Sequence, residues 1–252
     1  MSRNKLSFFS ALVIFLVLIL AAQAAKAEKA RVAYVLDGDT IVLSDGRHVR
    51  YIGVNAPEIA HENRPAQPFS KAAAAFNHDR VANTMVTLET DHEKFDHYGR
   101  TLAYVFLKDG TFVNESMVRQ GLAFCLSFPK SSRFENRLLA AQRQAMADGL
   151  GLWQNWKESS SGGYWGNKHS RRFHAPDCRH GSAMSKKNRV WFGSMWDAFE
   201  QGYAPCAECL GDWMTVVKKG GQKAPLQGRL YSSFAAFAAS MILVAIWAGT
   251  SS

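Results

Sequence analysis

Between residues 31 and 54 the chain meets Asp-Gly twice, at Asp37-Gly38 and Asp45-Gly46, each time between short stretches rich in Val, Ile and Tyr. Asp-Gly in that setting is a strong hairpin signal, because both residues tolerate the positive φ that a tight turn demands. The spacing predicts strands over residues 31–36, 40–43 and 47–54. A two- or three-stranded ribbon is marginal alone in water, so this meander has to curl, close or be covered. Pro57, Pro65 and Pro68 punctuate the loop that follows. Residues 71–81, with four consecutive alanines, predict a helix, and residues 86–89 and 101–107 predict further strands. Asn114 is expected to cap a short helix running to Gln120 and ended by Gly121. Ser132-x-x-Glu135 reads as a capping box opening a helix that carries Leu138, Leu139 and Met146 and stops at Gly149. Strands, a helix, more strands and then helices describe an α+β domain built on a small barrel.

Charge divides the 252 residues unevenly. Residues 28–160 balance 16 basic against 16 acidic side chains, whereas residues 161–252 hold 11 basic and five acidic ones. A neutral module followed by a basic one suggests that the second is drawn to polyanions. Residues 159–163 (SSSGG) fall at the change and are expected to link a domain over 28–158 to a smaller module over 164–212. Both ends are apolar. Residues 1–27 combine Arg3 and Lys5, a long apolar run and small residues near Ala27, the pattern of a signal peptide or an uncleaved N-terminal anchor. Either reading puts the body outside the cytoplasm: periplasmic, envelope-bound or extracellular. A basic linker, 213–229, leads to an uncharged stretch at 230–249, long enough for a membrane helix. Its flanking charges oppose the usual orientation for an exported body, so a buried or partner-binding helix is the alternative. Nothing in the sequence calls for an obligate protein partner.

Three short segments share a chemical theme. Asp37-Gly38-Asp39-Thr40, then residues 49–58 (VRYIGVNAPE), then Asp96-His97-Tyr98-Gly99-Arg100 supply hard oxygen ligands, two arginines and an acid. Cleaving a phosphodiester needs such a kit: cations to neutralise phosphoryl oxygens and a carboxylate to activate water. Arginine suits the task because its planar fork grips phosphate at two points and stays charged. Taken singly, each element also reads as a turn, a strand-face charge or a loop start.

Together with residues 35–43 (VLDGDTIVL), 96–106 (DHYGRTLAYVF), 113–123 (VNESMVRQGLA) and 150–153 (LGLW), these segments resemble the staphylococcal nuclease family in the same order along the chain. The resemblance implies an OB-type five-stranded barrel with three helices whose loops bind nucleic acid strands. It also implies roles. Asp39 corresponds to a calcium-binding carboxylate, with Asp37 shaping the metal site and Ala56 offering its backbone carbonyl. Arg50 and Arg100 correspond to phosphate-binding arginines, Glu58 to the acid that activates water, and Tyr98 to a nucleotide-contacting tyrosine. Two departures stand out. Asn55 stands where the family's second calcium carboxylate is Asp, which removes one negative charge and should weaken calcium binding or shift the metal preference. Residues 124–128 (FCLSF) replace the family's pair of nucleotide-stacking tyrosines, with Phe128 left as the candidate to stack a base.

Downstream, His174-x3-Cys178 and, after 27 residues, Cys206-x2-Cys209 form a Cys3His set with finger-like spacing. Such a set suits a structural zinc ion, which takes four tetrahedral thiolate and imidazole ligands. A Cys206–Cys209 disulfide is the alternative. Residues 164–180 and 188–209 resemble the metal-binding module of the Ada DNA-repair family, with His174 in place of its first cysteine. That module's methyl acceptance is not implied here. Arginines and lysines with Trp165, Phe173, Trp191 and Phe192 interleaved make a nucleic-acid footprint, although Trp191 and Phe192 are expected in the core of so small a module. Cys125 reads as a buried bystander; His48, His61, His78 and His92 read as surface residues.

The expectation is an exported calcium-dependent endonuclease acting on DNA and RNA, with a zinc module adding grip on the polyanion. The alternative is a non-catalytic nucleic-acid-binding scaffold on the same fold. Scaffolds of that kind typically lose the arginines and the glutamate that this chain retains.

Overall fold

Strand β1 (Glu28–Val35) turns at Asp37-Gly38 into β2 (Thr40–Leu43), which turns at Asp45-Gly46 into β3 (His48–Tyr51). Both turns sit where the Asp-Gly pairs predict them. All four residues of β2 are buried, so this strand is covered on both faces. β5 (Met85–Glu89) pairs antiparallel with β1 on one side and with β6 (Thr101–Phe106) on the other, and β6 runs parallel to β3. The ring β1-β2-β3-β6-β5 is thereby closed, and a closed ring leaves no strand edge open to stray pairing. Its interior is filled by residues such as Val32, Ile41, Val49, Tyr51, Leu88, Leu102 and Val105.

The computed structural model describes residues 27–61, 64–127, 133–157, 162–210 and 213–214. All of them fall in one of the chain's two compact units. The expected leader, most of the linker, Phe128, Ser132 and the apolar stretch at 230–249 lie outside the described residues. Among the described residues, no helix is long and apolar enough to cross a membrane.

Helix α1 (Ser70–Val81) buries Ala73, Asn77 and Val81, four residues apart and therefore on one face. Helix α2 (Val113–Arg119) ends near Gly121, whose φ of 64° suits glycine. A Cβ at Gly121 would run into the Leu150 carbonyl oxygen, and the Leu152 N–H bonds the Gly121 carbonyl at 2.8 Å. That contact clips the end of α2 to the turn at Gly151–Trp153, which follows helix α3 (Glu135–Ala147).

Three local expectations are corrected. The run 47–54 is not one strand. It breaks after Tyr51 at Gly53, whose φ is 81°, and Val54–Asn55 form a separate strand β4 paired with β7 (Phe124–Cys125). Asn114 does not cap α2, whose N-cap is Phe112. It is fully buried instead, accepting from the Val105 N–H at 3.0 Å and donating to the Ile52 carbonyl at 2.8 Å. The N-cap position of α3 is Phe134, with no side-chain cap.

Beyond the barrel, β8 (Tyr164–Asn167), β9 (Arg172–His174), β10 (Arg189–Phe192) and β11 (Ala204–Pro205) form a sheet in the order β10-β8-β9-β11. One face, with Tyr164, Phe173 and Phe192, packs into a second core with α5 (Met195–Glu200). This core also takes Phe124, Met146, Leu152 and Trp153 from the first module. Phe199 is its hub: its ring centroid lies 5.6 Å from Phe124, 5.1 Å from Trp153, 5.3 Å from Phe173 and 4.7 Å from Trp213. The two modules therefore share apolar packing. Phe192 is buried as expected, but Trp191 is 47% exposed, because alternation along β10 turns it to the opposite face.

Candidate active site

The turn between β1 and β2 carries the first acids. Asp37 Oδ1 accepts the Asp39 N–H at 2.9 Å, an Asx turn that aims Asp39 inward. Gly38 is needed there for space: a Cβ would lie 2.5 Å from the Ala56 Cβ and 2.7 Å from that of Ala73. Asp39 is only 5% exposed. Its Oδ2 accepts the Ala56 N–H at 2.6 Å and meets an Arg50 guanidinium nitrogen at 3.1 Å, and its Oδ1 accepts the Thr40 hydroxyl.

Arg50 comes from β3, opposite Thr40. Its Nη1 donates to the carbonyls of Tyr51 and Val54, at 2.9 and 2.8 Å, and its Nη2 donates to Asn55 Oδ1 at 2.9 Å. With Asp39 these contacts engage both terminal nitrogens, so the guanidinium is locked in one orientation. The Asn55 Nδ2 covers the Ala56 carbonyl at 3.3 Å. Asp37, Asp39, Arg50, Asn55 and Ala56 are thus joined in one hydrogen-bonded cluster.

Burial pushes the Asp39 carboxyl up to about 7; Arg50 opposes this, while Asp37 and Glu58 reinforce it. Three acids and one bound guanidinium leave the cluster short of positive charge, which a hard dication would supply. The oxygens of Asp39, Asn55 and Ala56 suit calcium as a donor set, although Asn55 Oδ1 and the Ala56 carbonyl must first release Arg50 and the Asn55 amide.

Glu58 is exposed, and its carboxylate makes no hydrogen bond or ion pair among the described residues, yet its charge reaches Asp39. Gln67 fixes its backbone: the side-chain oxygen accepts the Glu58 N–H at 2.8 Å, and the Gln67 N–H returns to the Glu58 carbonyl at 2.9 Å. A free carboxylate on a pinned backbone is what a general base requires.

Arg100 stands apart from the cluster; no hydrogen bond or ion pair joins it to Asp39, Arg50 or Glu58 among the described residues. It precedes β6, where Leu102 pairs with Arg50. Its Nε donates to Asp96 Oδ2 at 2.7 Å, and its guanidinium lies 5.4 Å from the Tyr98 ring centroid. Tyr98 is 73% exposed, free to meet a ligand.

Three residues that sequence reading did not single out hold this site. Asn77 is fully buried, donating to the Asp37 carbonyl at 3.0 Å and accepting the Tyr51 hydroxyl at 2.8 Å. Gln67 and Gln142 are the others. Only Asn77 leaves a trace in sequence, as a polar residue on the apolar face of α1.

A family model described as staphylococcal nuclease homologue matches residues 48–155. Over 132 residues the chain is 40% identical to a thermonuclease of Staphylococcus intermedius, an alignment spanning 51% of this chain and 78% of that one. The chain belongs to the staphylococcal nuclease family. A second member, the thermonuclease of Staphylococcus hyicus, is 39% identical over 128 residues, 50% of this chain and 75% of its own. Endonuclease YncB of Bacillus subtilis (strain 168) is 33% identical over 123 residues, 47% of this chain and 58% of its own. As a staphylococcal nuclease homologue the chain is a hydrolase of the micrococcal-nuclease type.

The family model stops before β8, ahead of a second cluster whose first residue, His174, ends β9. The ligand atoms of His174, Cys178, Cys206 and Cys209 all lie within 4.8 Å of one another. Cys178 Sγ is 3.5 Å from His174 Nδ1, and the Ala175 N–H reaches Cys209 Sγ at 3.4 Å. Burial lowers the His174 pKa and so favours the neutral imidazole that binds metal. No disulfide forms among the four cysteines, and Cys125 is buried away from the cluster. His48, His61, His78 and His92 are all exposed, as expected.

Proposed function

We propose that this protein is an exported, calcium-dependent endonuclease that hydrolyses phosphodiester bonds of DNA and RNA and leaves 3′-phosphate ends. The single observation that carries the reading is the convergence of Asp39, Arg50, Asn55 and Ala56 at one point, with the free carboxylate of Glu58 within electrostatic reach. Export rests on the composition of residues 1–27.

Calcium, held by Asp39, Asn55 and the Ala56 carbonyl with Asp37 nearby, supplies positive charge to the phosphoryl oxygens when bound. Arg50 and Arg100 take the remaining charge on those oxygens. Glu58 accepts a proton from water; the water oxygen bonds phosphorus as the bond to the 5′ oxygen breaks. The leaving oxygen takes a proton from solvent, and the phosphate stays on the 3′ side. Tyr98 lies beside Arg100 to contact the nucleotide. Zinc at His174, Cys178, Cys206 and Cys209 holds the second module together, and its basic surface adds affinity for the polyanion.

The test is incubation of DNA and of RNA with the purified protein in calcium, with and without a calcium-selective chelator, followed by analysis of the ends. Calcium-dependent degradation of both, leaving 3′-phosphates, supports the reading. Intact nucleic acid in calcium contradicts it.

A further inference from the structure

The second sheet has two faces, and only one is used by the core. Register puts Arg189, Asn167 and Arg172 side by side in one row of the other face, and Trp191, Trp165 and His174 in the next. The four strands contain no acidic residue. Trp191 is half-exposed, and its ring meets that of Trp165 edge to face at 4.6 Å, so two indoles stand on the surface instead of in the core. Arg189 is aimed across this pair. Its Nε and Nη2 donate to the carbonyls of Met184 and Ser182, and its guanidinium lies 5.7 Å from the Trp165 ring centroid.

Arg172 occupies the far end of its row. Its side chain makes no hydrogen bond or ion pair among the described residues, although it is half-buried. An arginine fork without a hydrogen-bonding partner keeps its donors open to a phosphate. A chain of packing contacts links Arg172 to Arg50. Phe173, next to Arg172, packs on Phe199; Phe199 packs on Phe124; and Phe124 pairs in β-register with Asn55, which bonds Arg50.

We propose that this sheet face is a platform for single-stranded nucleic acid, stacking bases on Trp165 and Trp191 and holding phosphates on Arg172 and Arg189, so that one strand continues from the cleavage site onto the second module. Exposed indoles select single strands, because unpaired bases offer their faces while duplex bases hide them. The proposal rests on the nuclease reading, since the strand is the enzyme's own substrate.

The experiment uses the zinc-replete full chain. Binding of a fluorescent 20-nucleotide thymidine strand is measured in the Glu58→Gln background, and cleavage of that strand and of a two-nucleotide ester is measured in the otherwise unaltered chain. Trp191→Ala is expected to raise the dissociation constant of the 20-mer about tenfold or more, in keeping with base stacking. Its effect on KM for the 20-mer should exceed its effect on the two-nucleotide ester at least fivefold. Trp191→Phe, which keeps a ring, should recover most of the affinity. Arg172→Ala should flatten the salt dependence of 20-mer binding by about 0.7 in log–log slope, one phosphate of a single strand. Equal effects on long and short substrates, an equal loss for duplex DNA, or unchanged binding in Trp191→Ala would each overturn the platform. Absence of cleavage in the unaltered chain refutes the nuclease reading instead and leaves the binding measurements to decide the platform.

Discussion

The side-chain amide of Gln142 donates to the Phe199 carbonyl at 2.6 Å while its oxygen accepts the Cys125 N–H, also at 2.6 Å. Gln142 is fully buried, so one side chain satisfies a barrel-side strand and a helix of the second module at once. Cys125 pairs with Val54 in β4, the strand that carries Asn55. Gln142→Leu leaves the buried Cys125 N–H unpaired, at about 1–3 kcal/mol, whereas the Phe199 carbonyl keeps the Gly202 N–H. The expected loss is about 1–3 kcal/mol, read as a melting temperature lower by roughly 2–12 °C.

Asp96 orients Arg100, and its carboxyl sits below the usual carboxylate value. Burial raises it, but the hydrogen bonds from Arg100 outweigh that. A depressed folded-state pKa means that the stabilisation is present above the unfolded value of 3.8 and is lost as pH falls through the folded value. Asp96→Asn is therefore expected to cost about 1 kcal/mol near pH 7. Urea midpoints of the two proteins should converge in acid below pH 3.8. Turnover should fall as well, because Arg100 loses its only ionic anchor among the described residues.

Asn55 contributes a neutral oxygen where a carboxylate would add charge, and ligand charge tunes calcium affinity. Asn55→Asp is expected to lower the calcium concentration for half-maximal cleavage about tenfold, a gain of about 1.4 kcal/mol. Calcium titrations of cleavage rate check this; an unchanged midpoint would remove position 55 from the metal site.

Much of the barrel is legible in the chain. Two Asp-Gly turns, the alternation around them and the alanine run of α1 are local signals, and local signals survive without knowledge of the rest. The arginines and acids are legible because they come as ordered motifs. Gln142 and Gln67 are not, since a buried amide and a surface amide look alike until the partner across the fold is known. The break at Gly53 was hidden for a related reason: Val54 and Asn55 leave the barrel to pair with Phe124 and Cys125, about 70 residues later. Trp191 misled because aromatic residues in a small module usually fill its core. Here Phe199 and Trp153 fill it, with help from the barrel domain.

The Cys3His cluster predicts one zinc per chain by metal analysis. Cys206→Ser should abolish zinc retention and lower the melting temperature, since it removes one of the four clustered ligand atoms. Full zinc retention in that variant would remove Cys206 from the ligand set.

The central claim is that Glu58 activates water at a phosphate held by Arg50, Arg100 and calcium. Single-turnover cleavage of a labelled DNA strand by Glu58→Gln, in saturating calcium and with folding verified by its melting temperature, tests it directly. The account predicts a rate lower by about 10²–10⁴-fold, the range for loss of a general base, with strand binding retained. A folded Glu58→Gln protein that cleaves within a factor of about two of the unaltered chain contradicts it.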